Sequence, residues 1–142
     1  MSRIPLAEFE ELCLTHVPFV GQLGIRVETL EAGHCIVRIP FRDDFIRPGG
    51  TVSGPIQMAL ADIVMYGVVL SLIGRVELAV TTNLNCNFLR RPRPADLVGD
   101  GRILKLGKRL AVGEVLLYSS GEAEPVAHVT CTYSIPPHGT GG

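Results

Sequence analysis

From Pro55 to Ile73 the chain reads PIQMALADIVMYGVVLSLI, apolar almost throughout and without an internal proline. Apolar residues fall on every side at helical spacing, so this stretch predicts one long helix with most of its surface buried. A loop carrying Gly49, Gly50 and Gly54 leads into it. There Ser53 is placed to cap, Gly54 leaves the backbone free to approach a ligand, and Pro55 suits the first helical position. Gly74 ends it.

Elsewhere the periodicity changes. LAEFEELCLTHV sets Leu6, Phe9, Leu12 and Cys13 on one face of a short helix that follows Pro5 and stops at Pro18. LGIRVETL and HCIVRIPF, joined through Gly33, read as a hairpin, with Pro40 marking an edge or an end. After Arg75 comes a long strand with Val80, Thr82, Leu84, Cys86 and Phe88 on one face and Thr81, Asn83, Asn85 and Asn87 on the other. By that parity Thr81 points away from Leu84 and Phe88 unless a bulge exchanges it with Thr82. Three further strands follow, LVGDGRILKLG, RLAVGEVLLYS and VAHVTCTYSI. Helix, hairpin, long helix and four strands make an α+β chain in which one antiparallel sheet wraps one helix. The expected divisions are an N-terminal helical segment over 1–20, the main domain over 21–136 and a flexible tail over 137–142.

Composition narrows the function classes. A net charge of −1 gives no surface for nucleic acid, and 46% hydrophobic residues in 142 suggest apolar surface hidden in a homo-oligomer, a dimer or a dimer of dimers. Cys13, Cys35, Cys86 and Cys131 are widely separated and read as small core residues, with no metal site. A cytoplasmic setting is the default expectation. The long helix carries Gln57 and Asp62, which argue against a membrane span. No phosphate-binding loop, nucleophile elbow or zinc-protease motif is present.

Asp62 carries the candidate chemistry. A carboxylate in apolar surroundings is costly unless it is paired or used, and no Lys, Arg or His lies three or four residues from it. The structural alternative is a core Asp satisfied by Tyr66 or by backbone.

Over most of the chain, about Gln22 to Pro136, the sequence resembles the hotdog-fold acyl-CoA thioesterases of the PaaI-like type. The likeness centres on G-x-x-S-G-P-I-Q-M-A-L-A-D, Gly50 to Asp62, against the family's G-x-x-H-G-G-x-x-x-x-L-A-D. Supporting pieces are N-x-N-x-x-F-L-R-R-P from Asn83, Gly99-Asp100, the G-K-R-L turn from Gly107 and the closing H-V-T-C-T-Y strand. This resemblance implies hydrolysis of an acyl-CoA, with Asp62 as nucleophile or general base and the Gly54 backbone N–H polarising the thioester carbonyl. A helix N-terminus suits a developing oxyanion. Thr81 aligns with a residue that holds the attacking water. Ser53 stands where the family has His, Pro55 where it has a second Gly, and Arg47 where it has Asn; Ser53 retains a hydroxyl able to orient a carbonyl or water.

Gly54 and Asp62 are separated by about 12 Å along a helix rising 1.5 Å per residue, too far to reach one carbonyl together. Two chains must then contribute, which the resemblance also implies. Arg47, Ala59, Ile63 and Tyr66 are candidates for substrate contact, the last three suggesting an apolar or aromatic acyl group. Arg90, Arg91, Lys105, Lys108 and Arg109 are candidates for the phosphates of coenzyme A, which enters as part of the substrate, so no cofactor is expected. The alternative is a hotdog domain that binds an acyl-CoA without turning it over. A hydratase is disfavoured because no His lies between His34 and His128 to pair with the Asp.

Overall fold

A computed structural model describes residues 1–138; the end of the expected tail, 139–142, lies outside the described residues. The chain opens with α1 (Leu6–His16) and α2 (Pro18–Leu23), and continues through β1 (Arg26–Glu31), β2 (His34–Ile39) and a small hairpin, β3 (Ile46–Arg47) with β4 (Thr51–Val52). Then come α3 (Gly54–Ile73), β5 (Val80–Phe88), β6 (Leu97–Leu106), β7 (Leu110–Ser119) and β8 (Ala127–Ser134). Pro18 does close α1, but it also opens α2, because a proline lacking its N–H is suited to the first turn of a new helix.

Six strands form one antiparallel sheet in the order β1-β2-β6-β7-β8-β5. Along β7 and β8 every second residue is buried, Ala111, Val115 and Leu117 on one strand and Val129, Cys131 and Tyr133 on the other. Helix α3 is seated against that face. It is long and apolar enough to cross a bilayer, yet it lies in the core with Leu60, Val64, Met65 and Val68 fully covered.

Glycines in the sheet set how deeply it sits. A Cβ at Gly101 would collide with Val64, and one at Gly113 would fall 2.6 Å from the Met65 sulfur. The helix therefore occupies space that side chains on β6 and β7 would take. At the far side β5 pairs only with β8, so its other edge is open among the described residues, with Val80 and Phe88 both more than half exposed on it.

Candidate active site

Asp62 lies midway along α3, half-buried, under the β8–β5 end of the sheet. The predicted parity of β5 fails at its start. Thr81 pairs with Tyr133 and Asn83 with Thr132, so Thr82 is an extra residue in a bulge, and Thr81 turns inward with Leu84 and Cys86. The Thr81 hydroxyl donates a hydrogen bond to Asp62 Oδ1. From β8 the Tyr133 hydroxyl donates to the same Oδ1 at 3.0 Å and to the Asp62 carbonyl at 3.1 Å. Oδ2 accepts no hydrogen bond among the described residues.

Tyr133 was not a candidate from sequence. Burial, then the Asp62 charge, pushes its ionisation well above the usual tyrosine range, so it remains a donor. The only signal was its place at the end of the alternating Val129, Cys131, Tyr133 row. Tyr66, which the structural alternative would pair with Asp62, instead donates to the Glu77 carbonyl at 3.0 Å. Its ring, one helical turn beyond Asp62, stacks on Tyr133 with centroids 6.1 Å apart.

Beside Asp62 is a cavity of about 210 Å³. Thr81, Tyr133 and Glu77 line it together with Cys13, Val17, Val20, Ile63, Tyr66, Ala79 and Val80. Ala59 lies outside it, partly buried against the core.

Gly54 opens into a different hollow, of about 330 Å³, which it shares with Arg47, Gln57, Phe88, Arg90 and Arg91. The Gly54 N–H makes no hydrogen bond among the described residues. Ser53 stands at the N-cap position without a capping bond from its side chain; Pro55, in the first turn, has no N–H to offer it. Gln57 is buried, its Nε2 donating to the Val52 carbonyl at 3.3 Å while its Oε1 has no partner among the described residues. Arg90 is engaged by the Pro125 carbonyl and by Glu124 at 2.9 Å, whereas Arg47 and Arg91 are exposed.

The basic residues do not form a single rim within one chain. Strand pairing sets Leu110 beside Ser134 and Ser134 beside Val80, which puts Lys105, Lys108 and Arg109 toward the opposite end of β5 from Arg90 and Arg91. At ~3.3 Å per residue the two groups are on the order of 25 Å apart.

Residues 49–126 match the model of the thioesterase superfamily. Among solved structures, the chain is similar to a candidate thioesterase from Silicibacter sp. TM1040, with 43% identity, a TM-score of 0.86, and coverage of 96% of this chain and 95% of that one. It is also similar to a mutant of the phenylacetic acid degradation protein PaaI from Thermus thermophilus, at 26% identity, TM-score 0.74, and 84% and 99% coverage. Among curated relatives, a candidate esterase from Saccharolobus solfataricus is 29% identical over 111 residues, 78% of this chain and 79% of its own length.

Proposed function

This chain belongs to the thioesterase superfamily and has its PaaI-like hotdog fold, and from that premise we propose that it hydrolyses an apolar or aromatic acyl-CoA to the free acid and CoA. The observation that carries the reading is Asp62, its Oδ1 fixed by two hydroxyl donors in the lining of a largely apolar cavity, its Oδ2 without a protein donor among the described residues. In that role Oδ2 takes a proton from water that then attacks the thioester carbon, or attacks that carbon itself to give a mixed anhydride, which water then hydrolyses to the free acid and the regenerated carboxylate. The C–S bond breaks and the sulfur of CoA leaves, taking up a proton.

The Gly54 N–H at the start of α3 suits the carbonyl oxygen as negative charge develops there. On one helix it is about 12 Å from Asp62, and the two open into separate hollows, so the site needs Gly54 from one copy and Asp62 from another. The open edge of β5, with Val80 and Phe88 exposed at its two ends, supports a second copy. Ser53 is placed to orient the carbonyl or water, and Thr81, while donating to Asp62, retains lone pairs to hold that water. Arg47, Arg90 and Arg91 around Gly54 suit the phosphates of CoA. Lys105, Lys108 and Arg109 could join them only from another copy.

Asp62→Asn keeps the size and the hydroxyl contacts but removes the base, so it should fold and assemble normally and lose thiol release by about 10³-fold or more. Unchanged thiol release would end the assignment. Ser53 and Arg47, in place of the family's His and Asn, favour a second reading, an acyl-CoA binder without turnover. Assaying bound ligand and free thiol together across short, long and aryl acyl-CoAs separates the two, since rapid thiol release excludes the binder.

A further inference from the structure

Resting on that reading, we infer that the two N-terminal helices form the end wall of the acyl cavity, and that Val17 and Val20 limit the acyl group to about the size of one aromatic ring with one or two further carbons. Cys13, Val17 and Val20 are spaced i, i+4, i+7 across the α1–α2 joint and all three face the cavity that Asp62 opens into. An acyl group that fills this space beside Asp62 would lie against Ile63, Tyr66, Val17 and Val20. The space is about 210 Å³. An apolar cavity of about 150 Å³ holds benzene, so the remainder accommodates a short extension of a ring, and a long alkyl chain would have to reach beyond it.

This wall is held in place. A Cβ at Gly21 would lie 2.5 Å from the Leu14 carbonyl oxygen, so α2 is packed directly on the backbone of α1. Glu10 on α1 accepts a hydrogen bond from the Val27 N–H at 2.7 Å, which ties the helix to β1. Phe9 packs against the Tyr66 ring at 5.9 Å. Helices α1 and α2 and strand β1 precede residues 49–126, where the superfamily match falls.

The test is kcat/KM for acetyl-, benzoyl-, octanoyl- and dodecanoyl-CoA with the wild type, Val20→Phe and the double variant Val17→Ala/Val20→Ala. Pocket changes of a methylene or two shift selectivity by about 10- to 200-fold. The wild type should favour benzoyl- over dodecanoyl-CoA by about 100-fold, Val20→Phe should reduce the benzoyl rate by 10-fold or more with acetyl-CoA little changed, and the double variant should raise octanoyl relative to benzoyl by about 10-fold. A wild type that prefers dodecanoyl-CoA, or variants in which all four rates move together, would overturn the inference. Melting curves check that Val20→Phe folds, and the double variant reads the same wall in the opposite direction. If the wild type hydrolyses none of the four, the proposed activity fails while the size limit is still decided, by calorimetry with ketone analogues in which CH2 replaces the thioester sulfur. The benzoyl analogue should bind the wild type and lose binding in Val20→Phe, and equal binding of the benzoyl and dodecanoyl analogues would overturn the limit.

Discussion

Tyr133 and Thr81 divide the work of holding Asp62 between two neighbouring strands, both donating to one carboxylate oxygen. A hydrogen bond to a charged group contributes about 1.5–3 kcal/mol. Tyr133→Phe keeps the ring stacked on Tyr66 and deletes only the donor, so kcat for a good acyl-CoA should drop about 10- to 100-fold with KM little changed, as measured by thiol release. A KM effect alone would mean that Tyr133 shapes the pocket without orienting the carboxylate. These two residues also show where sequence reasoning stops at this scale. Asp62 stands out because an acid in an apolar run is conspicuous. Tyr133 does not, since it lies 71 positions away, and Thr81 is named by the resemblance while its inward turn rests on a bulge that strict alternation cannot reveal.

Helices and strands were far more legible. The apolar run from Pro55 and the stop at Gly74 bracket α3 to within a residue, and the alternating segments fall on β5 to β8, because burial on one face leaves a periodic trace. The α1–α2 joint was read as a simple terminus, since a proline that ends one helix and one that begins another look alike from a single position. How closely α3 approaches the sheet shows only in the pairing of Gly99, Gly101 and Gly113 with helix side chains. Gly101→Ala should therefore destabilise the fold by about 1–3 kcal/mol in chemical denaturation, the cost of overpacking a core that cannot give. Wild-type stability in that variant would mean that α3 shifts freely on the strands.

Over the molecule as a whole, buried thiols make folding sensitive to alkali. Burial, and then the charge of Glu10, pushes Cys13 up to about 12; burial, and then Asp62, does the same to Cys131. Unfolded, these thiols ionise from a value of 9.0, so between about pH 9 and 12 the unfolded chain binds fewer protons than the folded one and stability falls as pH rises. Denaturation midpoints at pH 8 to 11 should decline, and less steeply in C131A; a flat profile would mean that the thiols are reached by water.

The separation of Gly54 from Asp62 on one rigid rod has a genetic corollary. Under the shared-site reading, a pair built from one chain lacking the acid and one obstructed at the loop still contains one sound cleft beside one doubly spoiled cleft. Two alleles, each inert by itself, would then complement within a single cell, and a lone defective copy would silence only part of the activity of its wild-type companion.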